Sequence, residues 1–116
     1  APSHFSSKLD MALQEIYKKD KKRAFVVSRF FDEMRENIKQ VYSVLEKNGH
    51  YVIVVGNSQI RGIDIPTSDI IIDIAKKEKF RLVNLFSYRI KNRYLRIPRK
   101  GRGGLIKEDR VIVLEK

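Results

Sequence analysis

The chain has 116 residues, enough for one modest core and short for two. Lys and Arg number 25 against 14 Asp and Glu, a net charge of +11 at pH 7, and a field of that sign attracts nucleic acid or an anionic surface. With no cysteine, disulfides, thiolate nucleophiles and cysteine metal sites are excluded. No apolar run approaches the roughly 18 residues of a membrane span, and the N-terminus lacks a signal peptide's apolar core. A single soluble, cytoplasmic domain with no membrane partner is expected. The opening Ala1-Pro2-Ser3 without an initiator Met suggests a processed start or a piece of something longer.

In chain order, Ser6 and Ser7 are suited to cap a helix whose apolar positions Leu9, Leu13, Ile16 and Tyr17 follow helical spacing. The basic run at 18–23, around Asp20, reads as a solvated junction. A longer helix is expected over 24–47, with Val27, Phe30, Phe31, Met34, Ile38, Val41, Tyr42 and Leu45 as its core-facing stripe. Asn48-Gly49 should end it, Gly being suited to the left-handed conformation beyond a helix C-terminus.

Tyr51-Val52-Ile53-Val54-Val55 is apolar at every position. That pattern predicts a strand buried on both faces, as in a central, parallel strand of an α/β sheet. It runs into Gly56, Asn57 and Ser58. Ligands sit at the carboxyl ends of strands in open parallel sheets, which makes these three site candidates; an ordinary turn reads equally well. After Arg61-Gly62 and Pro66, Thr67 is placed to cap a third helix with Ile70, Ile71, Ile74 and Ala75 on its apolar face. A strand is then expected over 81–90 and a last one over 111–114. Joined by a loop and not a helix, these two should pair antiparallel.

The loop between them carries the charge. Arg89, Lys91, Arg93, Arg96, Arg99, Lys100, Arg102 and Lys107 occur with no acidic residue among them, and residues 81–116 hold eleven basic against three acidic side chains. A charge localised in this way is a binding footprint for a polyanion.

No catalytic set is visible. Gly-x-Gly-x-x-Gly and Walker-type loops are absent, and His4 and His50 are too few and too far apart for a metal site. Asp69 and Asp73, four apart near a helix start, read as structural charge, and no metal is expected.

The order of elements resembles a known family. A helix of the form Phe-Asp-Glu-Met-Arg…Leu-Glu-Lys-Asn-Gly-His entering Tyr-Val-Ile-Val-Val-Gly-Asn-Ser, over 31–58, resembles the second half of S-adenosylmethionine-dependent methyltransferases, where such a helix enters the fifth strand. Gly56-Asn57-Ser58…Gly62-Ile63-Asp64-Ile65-Pro66-Thr67, Ile90-Lys91-Asn92-Arg93 and Gly103-Gly104-Leu105-Ile106 look like the C-terminal part of prokaryotic amino-methylating DNA methyltransferases of the cytosine-N4 or adenine-N6 type. The likeness covers about residues 25–116. Asn48-Gly49-His50 stands where the family has Pro-Gly-Gly.

The resemblance implies an α/β fold: the C-terminal half of a Rossmann-like methyltransferase sheet, with two or three helices, a buried parallel strand and a terminal antiparallel pair. Residues 1–23 would be an N-terminal helix and basic junction, and 24–116 the methyltransferase-like half of one domain. The family's Gly-rich cofactor loop and its Pro-Pro-aromatic tetrapeptide do not occur, the three prolines standing isolated at Pro2, Pro66 and Pro98. The chain would thus be inactive alone. S-adenosylmethionine would belong to the intact enzyme, without tight binding here, and the missing N-terminal half would be a partner.

In that setting Tyr88, Arg89, Lys91, Asn92, Arg93, Tyr94, Arg96, Arg99, Lys100 and Arg102 would bind DNA. The cations would contact phosphates, which position without reading sequence; Asn92 would orient a base and Tyr88 or Tyr94 would stack. Gly56, Asn57 and Ser58 would support the active site, with no catalytic residue in this chain. Alternatives are part of an RNA methyltransferase, a freestanding basic nucleic-acid-binding module, or an assembly module self-associating through an exposed sheet edge.

Overall fold

Ser6 begins the first helix, α1 (Ser7–Lys19), its hydroxyl accepting from the backbone N–H of Leu9. Asp20 is the single extended residue between this helix and α2 (Lys21–Val44). Its carboxylate caps α2 by accepting from Arg23 N–H at 3.1 Å. The basic run is therefore the last turn of one helix and the first of the next, and α2 starts and ends three residues earlier than periodicity alone suggested. The computed structural model describes residues 6–91 and 106–116, with side chains for 6–87 and 109–116.

Beyond α2, Asn48 takes the left-handed conformation (φ 69°) that the sequence reading gave to Gly49. Gly49 is required for another reason: a Cβ there would stand 2.8 Å from the Glu46 carbonyl oxygen. The chain then forms β1 (His50–Gly56), a small hairpin of β2 (Ser58–Ile60) and β3 (Ile63–Ile65), α3 (Thr67–Lys77), β4 (Arg81–Lys91) and β5 (Ile106–Glu115). The hairpin turns on Arg61 and Gly62, both at positive φ (53° and 80°), the combination of a type I′ turn. An arginine in that conformation gave no turn signal, so the hairpin was not anticipated.

The main sheet has the order β1-β5-β4, and both of its pairings are antiparallel. The expected β4–β5 pair is present. The expected central parallel strand is not: among the described residues β1 pairs antiparallel with β5 alone and stands at the edge. Because β1 and β4 both oppose β5, they run in the same direction on either side of it. The fold is α/β, with three helices among the described residues.

One face of the sheet carries the core. Ile53 of β1 and Ile112 and Leu114 of β5 pack with Phe31 and Ile38 of α2 and with Ile70, Ile71 and Ile74 of α3. Burying so many branched side chains is the main stabilising contribution. The helix α3 is the hub, buried also through Thr67, Ser68, Ile72 and Ala75. Tyr42 and Phe80 meet edge-on, centroids 5.1 Å apart, and Tyr51 Oη donates to Asn37 Oδ1 at 2.7 Å, fixing α2 over the sheet. Phe30, expected in the stripe, is instead exposed.

Among the described residues the other face is open, although β1 is apolar throughout. Val52 and Val54 are 53% and 51% exposed and Phe86 48%. In register they flank Val113 and Val111 of β5. No helix among the described residues is long and apolar enough to cross a membrane.

Candidate nucleic-acid interface

Strand register brings Gly56, Tyr88, Arg89 and Lys91 to one end of the sheet. The register puts Gly56, the last residue of β1, opposite Asp109 of β5, and Asp109 opposite Tyr88 of β4. Past this point β1 stops while β4 and β5 continue through Arg89↔Glu108, Ile90↔Lys107 and Lys91↔Ile106. A two-stranded ribbon thus projects beyond the three-stranded sheet, from the end at which Gly56, Asn57 and Ser58 leave β1. Arg89 and Lys91 lie on this ribbon, as does Lys107, so the connection between the strands is shorter than the stretch 89–107 inferred from charge. The remaining candidates, Asn92, Arg93, Tyr94, Arg96, Arg99, Lys100 and Arg102, lie outside the described residues.

The Gly56-Asn57-Ser58 exit resolves into distinct roles. A Cβ on Gly56 would stand 2.9 Å from Asp109 Oδ1, closer than it can rest unless that carboxylate swings away. Asn57 Oδ1 accepts from the backbone N–H of Ser68 at 3.3 Å and from Ser68 Oγ at 3.4 Å. The start of α3, where Pro66 has no capping side chain, is thereby capped from β1's exit. Thr67, expected to cap, is the helix's first residue and its hydroxyl donates to Ile65 O at 3.3 Å. Ser58 is exposed at the start of the hairpin. Asp109, which borders both Gly56 and Tyr88 in the ladder, was missed by the sequence reading; only strand register brings it to the exit.

A second set of charges ties the hairpin to the helices. Arg61 donates to Asp20 Oδ2 from Nε at 3.2 Å and from Nη2 at 3.0 Å, and Lys19 Nζ donates to Arg61 O at 3.4 Å. The Arg23 N–H, followed by the Arg61 guanidinium, holds the Asp20 carboxyl below its ordinary value. Asp73 accepts from Ser6 Oγ at 2.9 Å and lies 3.7 Å from Lys8 Nζ, while Asp64 accepts from Gln59 Nε2 at 2.9 Å. These carboxylates are structural partners. His50 Nε2 lies 3.1 Å from Glu115 Oε2, and Arg81 pairs with the same carboxylate. Among the described residues no group of three or more His, Asp or Glu has the geometry of a metal site.

At this end the Asn57 side-chain oxygen is engaged with Ser68, and the Gly56 side faces the Asp109 carboxylate. What the described arrangement presents is Arg89, Lys91 and Lys107 on two paired strands that run on from a sheet end joined to α3 through Asn57.

No family model matches the sequence, and no solved structure matches it. The chain is 33% identical over 82 residues, 71% of its length, to the type II methyltransferase M.MvaI of Kocuria varians, of which it spans 16%. That similarity supports a relationship between this chain and the methyltransferases.

Proposed function

We propose that the chain is the DNA-holding C-terminal portion of an S-adenosylmethionine-dependent, amino-methylating DNA methyltransferase of the type II modification class. The observation that carries this reading is the β4–β5 ribbon, which takes Arg89, Lys91 and Lys107 past the end of the sheet at which Gly56-Asn57-Ser58 leaves β1. An antiparallel two-stranded ribbon fits the major groove of DNA, and the Arg and Lys residues of the stretch 89–107 supply phosphate contacts. Similarity to a protein named a type II methyltransferase favours DNA as the polyanion.

In this reading β1, β4 and β5 are the fifth, sixth and seventh strands of a Rossmann-like methyltransferase sheet. Support comes from the common direction of β1 and β4 on either side of β5. The apolar face around Val52, Val54 and Phe86, together with the edge of β1 that is unpaired among the described residues, is the surface that the enzyme's other half would cover. The cofactor and the catalytic motif belong to that half, and no step of methyl transfer is assigned to residues of this chain.

The test compares binding of the chain to duplex DNA and to structured RNA of equal length, with methyl incorporation from labelled S-adenosylmethionine measured alongside. Preference for duplex DNA with no incorporation is expected. Preference for RNA, or methyl transfer by the chain alone, would overturn the reading.

A further inference from the structure

The two ends of α2 mark the two ends of the sheet. At the end away from the ribbon, where His50 faces Glu115, the carbonyl of Leu45 just after α2 accepts from Lys116 Nζ at 2.9 Å. Further along, Tyr51 Oη of β1 donates to Asn37 Oδ1 of α2. The helix thus runs antiparallel to β1, and its 24 residues, about 36 Å long at 1.5 Å each, are enough to span that strand. It starts beside the hairpin that leaves the β1 exit, because Arg61 in the hairpin turn holds the α2 cap Asp20 through Nε and Nη2. The α1–α2 junction is therefore fixed at the end from which the ribbon projects. The tie is made in spite of strain, since Arg61 sits at φ 53°, a backbone conformation that costs a non-glycine residue free energy.

The hairpin holds positive charge there. Lys18, Lys19, Lys21, Lys22, Arg23 and Arg61 are all exposed, six cations against the single carboxylate of Asp20. That carboxylate is already engaged, Oδ1 by the Arg23 N–H and Oδ2 by the Arg61 guanidinium. Lys18, Lys21 and Lys22 pair with no carboxylate among the described residues. Cations spread over two helix ends and a turn match the repeated charges of a phosphate backbone, which Lys meets as a point charge. We propose that this junction is a second phosphate-contact surface, meeting the backbone of the same DNA duplex that Arg89, Lys91 and Lys107 approach from the ribbon. The proposal rests on the DNA reading of the ribbon and extends its footprint to the other side of the β1 exit. Its contacts position the duplex and read no sequence.

The test is the salt dependence of binding to a duplex of about 30 base pairs, about 100 Å long at 3.4 Å per pair. It compares the parent with a variant combining Lys18→Gln, Lys21→Gln and Lys22→Gln. Three lost contacts at about 0.9 each should reduce the slope of log affinity against log salt by about 2.7, the parent slope exceeding the share of the segment 89–107 by that amount. Replacing the same three residues by Arg should keep the parent slope. Lys22→Gln alone, with a reduction of about 0.9, decides the matter if the triple variant unfolds at lower urea. With duplex in excess, one duplex should bind per chain. A parent without salt-dependent DNA binding would overturn the DNA reading and this proposal together. A binding parent whose slope the junction substitutions leave unchanged would overturn this proposal alone, as would two duplexes per chain. So would equal DNA affinity of parent and variant with loss of binding to vesicles of phosphatidylcholine and phosphatidylserine, which would assign the junction to an anionic membrane.

Discussion

Asn57 Oδ1 accepts from both the backbone N–H and the hydroxyl of Ser68, at 3.3 and 3.4 Å, so the residue that follows β1 also caps the start of α3. The exit of the strand and the hub helix are one unit. Asn57→Ala should therefore behave as the loss of a helix cap, costing about 1 kcal/mol in urea unfolding, while leaving the salt dependence of DNA binding unchanged. A stable variant with a reduced salt slope would instead make Asn57 a contact residue.

Gly49→Ala separates conformational freedom from steric fit. Gly49 does not need a left-handed backbone, since Asn48 supplies it, but a Cβ would meet the Glu46 carbonyl oxygen at 2.8 Å and Leu45 Cγ at 2.8 Å. Forcing that turn open should cost about 1–3 kcal/mol, read as a lowered urea midpoint at unchanged slope. A neutral substitution would contradict the tight turn.

These two residues show what was legible in the sequence and what was not. The periodicity of Leu9, Leu13 and Ile16, of Phe31 and Ile38, and of Ile70 and Ile74 placed the helices and their buried faces, because a 3.6-residue repeat is a local signal. The antiparallel β4–β5 pair followed from the lack of a crossover helix. The neighbour of β1 was not legible. An uninterrupted apolar run predicts two covered faces, whereas here Val52 and Val54 lie on an open one. Register was equally hidden, so Asp109 was never linked to Gly56. The β2–β3 hairpin escaped because its turn uses Arg61 at positive φ, held by Asp20 forty-one positions away in sequence.

The Asp20–Arg61 contact carries a pH dependence. Asp20's carboxyl is lowered from 3.8 in the folded chain, mainly by the Arg23 N–H and then by Arg61. A lowered folded-state value means the stabilisation is fully present above 3.8 and is lost as pH falls through the lowered value. Asp20→Ala should be less stable than the parent at pH 7, and the difference should shrink as the pH is taken below 3.8. A pH-independent difference would show that the carboxylate's charge is irrelevant to the cap.

Ile112 lies at the centre of the sheet, fully buried opposite Ile53 and Leu85. Ile112→Ala should cost about 2–5 kcal/mol and, by loosening the strand from which the ribbon continues, weaken DNA binding in parallel. Thermal unfolding and binding measured on the same samples check both. Lost stability with undiminished binding below the unfolding transition would show that the ribbon does not depend on the sheet for its placement.

The most direct measurement is the affinity of the chain for duplex DNA as a function of salt, made with the parent and with Arg93, Arg96 and Arg99 replaced together by Ala. If roughly five cations of the segment meet phosphates, the logarithm of affinity should fall against the logarithm of salt with a slope of about −4 to −5, at about 0.9 per contact. The triple substitution should reduce that slope by about 2.7 and weaken all sequences alike. A slope near zero in the parent, or an unchanged slope in the variant, would contradict a DNA-holding role for the basic segment.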